Sequence, residues 1–152
     1  MRKTRRRILV LQGANMACLG KRQPELYGTT SAAELDAMLR DHAATDGYDL
    51  ELFYTHSEAE AIARLYRAAD EGIDALVMNP GGFMYAGYAL RDCLRALPFP
   101  IVEIHMTNIE KRGAKSVTTE AAHGVIAGFG IQSYMLGLAA ARALVEARAR
   151  PT

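Results

Sequence analysis

No stretch of this 152-residue sequence holds the ~20 uninterrupted apolar residues that a membrane-spanning helix needs, so no membrane partner is expected. The first apolar run, ILVL, is too short for a signal-peptide core and no cleavage-site pattern follows it, which points to a cytoplasmic protein. Cysteine is scarce. Cys18 and Cys93 form neither a C-x-x-C pair nor a disulfide framework, and both are expected as small buried or half-buried side chains. The four histidines are scattered without ligand spacing, so no metal is expected. Phosphate cradles are missing too: GANMACLGK puts six residues between its glycines where a P-loop has four, and Arg22 stands where Ser or Thr should follow the lysine. No basic stripe interleaves with aromatics, and no nucleic-acid partner is expected.

Half of the residues are hydrophobic and 23% are charged, the balance of one soluble domain with a real core. The net charge of +1 hides an asymmetry, because MRKTRRR holds five of the 18 basic residues. Residues 1–7 are expected as a solvated basic arm and residues 8–150 as a single domain.

RRILVLQ reads as a fully buried strand ending at Gly13. The connection from Gly13 to Thr30 is long for a compact domain, and loops of that length are usually functional. Thr30 or Ser31 is expected to cap a helix to about residue 45, with Glu34 completing a capping box. The alternation then repeats: a strand in YDLELFYT, a helix from Ser57 to about Asp70, a strand in IDALVMN, a helix from about Tyr85 to Ala96, and strands in PIVEIHM and GVIAGFG. IQSYMLGLAAARALVEARA closes the chain as a long helix. Its apolar face, with Tyr134, Met135, Leu136 and Leu138, is left open between core and subunit contact. This order predicts an α/β fold, a doubly wound, five-stranded parallel sheet with helices on both faces, whose ligands gather at the carboxyl ends of the strands.

Three segments lie at those ends. In EIHMTN, Glu103 and His105 alternate along a strand and therefore sit side by side. A carboxylate beside an imidazole favours the charged ring and fixes its orientation, suiting His105 to donate a proton; the bland alternative is a satisfied core histidine. In the long loop, Arg22 and Tyr27 flank Pro24, and a desolvated guanidinium near the phenol would favour tyrosinate as a base; a simple stacking pair is the alternative. NPGG reads as a turn, with Asn79 at the strand tip able to donate to and accept from a hydroxyl or simply to cap the turn.

ILVLQGAN, NPGG and EIHMTN, in this order along a chain ending in GVIAGFGIQSY, resemble the type II 3-dehydroquinate dehydratases. The resemblance covers nearly the whole chain. It implies a flavodoxin-like subunit, assembled as a trimer-based dodecamer, that removes water from a cyclic 3-keto acid without a cofactor. By position, Tyr27 resembles the base beside the ketone, Arg22 the cation that keeps it ionised, and Asn15 the residue that steadies the enolate through a water. His105 with Glu103 resembles the acid that protonates the departing hydroxyl, and Asn79 the residue that holds it. Met106 and Thr107 would take the substrate carboxylate, and Asp92 would reach a neighbouring subunit's site.

The chain also departs from the pattern. Tyr85 stands where histidine is usual in the grip on the distal ring hydroxyls. A second arginine beyond the one matching Arg112 is absent from a segment about three residues shorter, with Lys115 as a partial stand-in, and QGAN replaces an opening that usually carries asparagine and proline. The expected activity is dehydration of 3-dehydroquinate to 3-dehydroshikimate by an enolate route. Two alternatives are a dehydratase of another hydroxy keto acid, because of the altered distal pocket, and a non-catalytic paralogue that binds small carboxylates.

Overall fold

The computed structural model describes residues 5–150. Five strands form one parallel sheet: β1 Arg7–Ala14, β2 Asp49–Tyr54, β3 Ala75–Gly81, β4 Ile101–His105 and β5 Gly124–Ala127, in the order β2-β1-β3-β4-β5. That is the flavodoxin-like order, and its reversal between β1 and β3 makes their carboxyl ends the place for a ligand. The helices are α1 Pro24–Tyr27, α2 Ala32–Asp46, α3 Glu58–Asp70, α4 Tyr88–Arg95 and α5 Gln132–Ala149.

Strand alternation divides the core in two. Ile8, Val10, Val77, Val102 and Ile104 pack with Leu35 and Leu39 of α2 and Tyr134 and Leu138 of α5. Leu9, Leu11, Leu76, Met78 and Ile101 face the other way, onto Ala61 and Leu65 of α3 and Leu90 and Leu94 of α4. The helices supply the matching stripes: Leu35, Leu39 and Ala43 recur every fourth residue in α2, and α3 buries Ala61, Arg64, Leu65 and Ala68. Arg64 is the charged member of that stripe; it stays buried because Glu51, at 2.5 Å, and Glu71, at 3.3 Å, neutralise it.

Local signals hold where they are chemical. Ser31 caps α2 in a full capping box with Glu34, and Ser57 caps α3. Boundaries shift where tertiary contacts intervene. β3 runs through Pro80 to Gly81 instead of turning at NPGG: pairing of Ala14 with Gly81 resumes beyond the proline, whose missing N–H interrupts only its own position. The helix expected from Tyr85 is split into a 3₁₀ turn at Gly82–Tyr85 and α4, because Ala86 at φ −151° and Gly87 at ψ 53° leave the helical region between them. β5 stops at Ala127, where Gly128 takes φ +99° and its N–H turns to the His105 carbonyl. The loop 13–30 carries a 3₁₀ turn at Met16–Cys18 and the single turn α1.

Residues 1–4 of the expected arm lie outside the described residues. Arg5, Arg6 and Arg7 pair with Asp49, Asp74 and Glu51 at 3.2, 3.5 and 2.6 Å, and Arg7 opens β1. In α5, Tyr134 and Leu138 are core, whereas Leu136 is exposed. Among the described residues, no helix is long and apolar enough to cross a membrane.

α5 lies close to the sheet because Gly137 faces it: a Cβ there would meet Ile104 Cγ2 at 2.6 Å and Val77 Cγ1 at 3.2 Å. Gly137→Ala gains roughly 1 kcal/mol in helix propensity but overpacks a closed core at a cost of about 1–3 kcal/mol. The variant is expected to melt below the wild type in a thermal unfolding scan.

Candidate active site

β1, β3 and β4 end around a cavity of about 230 Å³. That is below the ~300–1,000 Å³ of sites for drug-sized ligands and suits a small metabolite. Its lining includes Arg22, Arg112 and His105 and, among the described residues, no carboxylate, so its field favours a small anion.

β4 delivers the acid–base pair. Ile101 and Glu103 point to the α3/α4 side, and His105 follows at the strand tip. Glu103 is fully buried and His105 nearly so, with His105 Nε2 2.9 Å from Glu103 Oε2. Two hydroxyls complete the shell: Thr119 donates to Oε2 at 2.5 Å and Thr118 donates to Oε1. Burial alone would push the Glu103 carboxyl up, but the hydrogen bonds from His105, Thr118 and Thr119 outweigh it and hold the group below the usual carboxylate range.

β3 delivers Asn79 from the opposite side of the sheet. Its Nδ2 donates to the Tyr134 hydroxyl at 2.9 Å, and that hydroxyl donates to Gln12 Oε1 at 2.7 Å. Its Oδ1 accepts from the Gly81 N–H at 3.1 Å. Both ends of the amide are thereby assigned: one N–H and one lone pair remain for the cavity. Gln12 pairs with Asn79 across the β1–β3 ladder, so a single register holds the relay. Burial pushes the Tyr134 hydroxyl well above the ordinary phenol range, so it serves as a neutral donor and acceptor.

The long loop covers the top. Asn15 takes φ +75° where the chain leaves β1, and Arg22 and Tyr27 line the same cavity as His105. Tyr27 is half-buried on α1 and Arg22 is exposed; among the described residues, no direct hydrogen bond joins them. Met106 is buried, and Arg112 Nε donates to Thr107 Oγ1 at 3.1 Å. Tyr85 sits at the rim, 63% exposed.

Of the residues singled out from sequence, Asn15, Arg22, Tyr27, Asn79, Tyr85, His105, Met106, Thr107 and Arg112 meet in the cavity, with Glu103 directly behind His105. Asp92, exposed on α4, and Lys115 do not line it. Val117 N–H is tied to the Met84 carbonyl at 2.8 Å and Ala114 N–H to that of Ile109 at 2.9 Å, which leaves Lys115 exposed between two anchors. Cys18, expected as buried or half-buried, is exposed and lines the cavity with Gln23. Gln12, Tyr134, Thr118 and Thr119 were invisible as site residues. A polar residue ending the buried run RILVLQ was the one available signal; the threonines reach Glu103 from a separate loop, which no local pattern encodes.

A doubly wound sheet carrying buried acid–base groups over a small cationic cavity defines a flavodoxin-like enzyme acting on a small anion. The family described as class II dehydroquinase matches residues 6–142, and the chain belongs to that family. It is 42% identical over 144 residues to a 3-dehydroquinate dehydratase of Syntrophotalea carbinolica, covering 93% of this chain and 97% of that one. It is 45% identical over 143 residues to a 3-dehydroquinate dehydratase of Desulforudis audaxviator, covering 92% and 95%. Among solved structures, a type II dehydroquinase from Butyrivibrio crossotus superposes with a TM-score of 0.88 at 27% identity, covering 91% of this chain and 98% of that one. One from Propionibacterium acnes gives 0.84 at 36% identity, covering 88% and 94%.

Two outcomes follow from the site's hydrogen bonds. Because the folded-state pKa of Glu103 lies below its ordinary 4.5, its contribution to stability is full above about that pH and is lost as pH falls through the lower folded value. Thr118→Val removes one donor and raises the folded value, so acid unfolding followed by circular dichroism is expected to have its midpoint at higher pH. Tyr134→Phe leaves Asn79 Nδ2 and Gln12 Oε1 without partners and is expected to cost about 1–3 kcal/mol in urea unfolding.

Proposed function

We infer that this chain is a 3-dehydroquinate dehydratase, a hydro-lyase converting 3-dehydroquinate to 3-dehydroshikimate by an enolate route. The relatives' shared activity supports the substrate. The observation that carries the mechanism is that Tyr27 and His105 line one cavity, a phenol on the flap opposite an imidazole on the strand.

The reaction needs two proton transfers at neighbouring carbons. Tyr27, which lines the cavity together with Arg22, acts as the base that takes the proton next to the ketone, and the C–H pair becomes an enolate. Asn15 steadies the enolate oxygen through a water. The enolate then collapses to a conjugated enone, and the C–O bond to the β-hydroxyl breaks as His105 protonates it, releasing water. Glu103 orients the imidazole and balances its charge. Asn79 holds the departing hydroxyl. The substrate carboxylate lies against Met106 and Thr107, whose hydroxyl is fixed by Arg112. Tyr85 meets the distal ring hydroxyls at the rim. Each turnover returns the Tyr27 proton to solvent and restores the one on His105, so no oxidant, metal or cofactor enters the balance.

The trimer-based dodecamer implied by the family resemblance fits the exposed apolar side chains Val125, Phe129 and Leu136. In such an assembly the exposed Asp92 would serve a neighbouring subunit's cavity. A cytoplasmic location is consistent with a soluble metabolic enzyme of this kind.

Incubation with 3-dehydroquinate is expected to build up the ultraviolet absorbance of the enone. Tyr27→Phe removes the base and should lower kcat by roughly 10²–10⁴-fold. Turnover that persists in Tyr27→Phe would overturn the assignment of the base, and no turnover by the wild type would overturn the substrate.

A further inference from the structure

We propose that His56 is a positioning residue for this reaction: its imidazole holds the backbone of Asn15 in the conformation that aims the Asn15 side chain into the cavity. Asn15 is one of two residues other than glycine with positive φ among the described residues. Asparagine enters that region more readily than most residues, and contacts around it select the conformation. Three contacts do so here. The Asn15 N–H donates to His56 Nδ1 at 2.9 Å, the Asn15 carbonyl accepts from the Cys18 N–H at 3.1 Å, and its side chain lies against Gly82, where a Cβ would come within 3.0 Å of Nδ2.

Of the three, the imidazole is the one supplied by a side chain from a separate element. Leaving the sheet at Ala14 frees the Asn15 N–H from the ladder, and the exposed His56 ring accepts it in place of water. His56 stands ready because its own backbone is fixed on both sides. Thr55 N–H donates to the Gln12 carbonyl at 3.1 Å, the Thr55 hydroxyl donates to Glu60 at 2.5 Å and accepts from the Ser57 N–H at 2.9 Å, and Ser57 caps α3. An Nδ1 that accepts requires the ring proton on Nε2. The β2–α3 connection thus takes part in a site otherwise built from β1, β3, β4 and the flap.

The inference rests on the assignment of Asn15 to enolate stabilisation, and its test separates the two. Nδ1 of histidine and Oδ1 of asparagine are both bonded to Cγ, so His56→Asn keeps an acceptor at the same reach, whereas His56→Ala removes it. His56→Ala should lower kcat about three- to tenfold, the range for one exposed hydrogen bond, with KM within about twofold. His56→Asn should recover most of that loss, and His56→Ala combined with Asn15→Ala should be no slower than Asn15→Ala alone. Full activity in His56→Ala, no recovery in His56→Asn, or additive losses in the double variant would overturn the proposal. Hydrogen exchange at the Asn15 amide reads the clamp without any turnover. Protection in the wild type that is lost in His56→Ala and restored in His56→Asn upholds it, and an unprotected amide in the wild type overturns it even if the substrate assignment fails.

Discussion

The site turns on a carboxylate kept ionised where water cannot reach it. Glu103 has no exposed surface, and an isolated charge in such a place would take up a proton instead of remaining. It stays charged because every approach is occupied by a donor: the His105 ring, Thr118 and Thr119. That arrangement fixes the imidazole's angle and supplies a counter-charge for its protonated form, and both suit His105 to the proton donation proposed for it.

The rest of the fold presents this pair to the cavity that Tyr27 also lines. Parallel strands buried on both faces are nearly all aliphatic, and β1, β3 and β4 obey that rule until their carboxyl ends. There the apolar run gives way to Gln12, Asn79, Glu103 and His105, all buried and each hydrogen-bonded to a side chain of the site, Gln12 through Oε1 alone. Alternation sends Gln12 and Asn79 to the α2/α5 side and Glu103 to the α3/α4 side. The cavity is therefore braced from both faces of the sheet, by Tyr134 of α5 on one and by the threonines before β5 on the other. A rigid floor of this kind leaves adaptation to the flap, whose Arg22 and Tyr27 approach from above.

The sheet and most of its helices were legible in the sequence because their signals are local: aliphatic runs of strand length, Ser31 and Ser57 as caps, and apolar residues three or four apart. The floor of the site was legible for the same reason, since Glu103 and His105 need only strand alternation to become neighbours. What could not be read was set by contacts between distant segments. Pro80 marks a turn in most contexts, yet the pairing of Ala14 with Gly81 carries β3 past it. Thr118, Tyr134 and His56 are ordinary residues in a loop, a helix and a helix-capping turn, and they become part of the site only through the parallel topology. Lys115 was placed by its position in a shortened segment, and the two backbone anchors that leave it exposed lie outside any local pattern.

The division between what is braced and what is loose bears on how this site can change. Asn79 and Glu103 are each tied into hydrogen bonds that a substitution would leave unsatisfied in a buried setting, so altering them carries a folding penalty. Tyr85 has no such ties: it is largely exposed, on a short 3₁₀ turn, and reaches the cavity only at its rim. Arg112 is held by a single hydroxyl on an exposed segment. Asn79, Glu103 and His105 are thus tied to the core, while Arg22, Tyr27, Tyr85 and Arg112 reach the cavity from loops and short turns. Change at this second set carries no comparable folding penalty, so the far end of the cavity is the part free to vary.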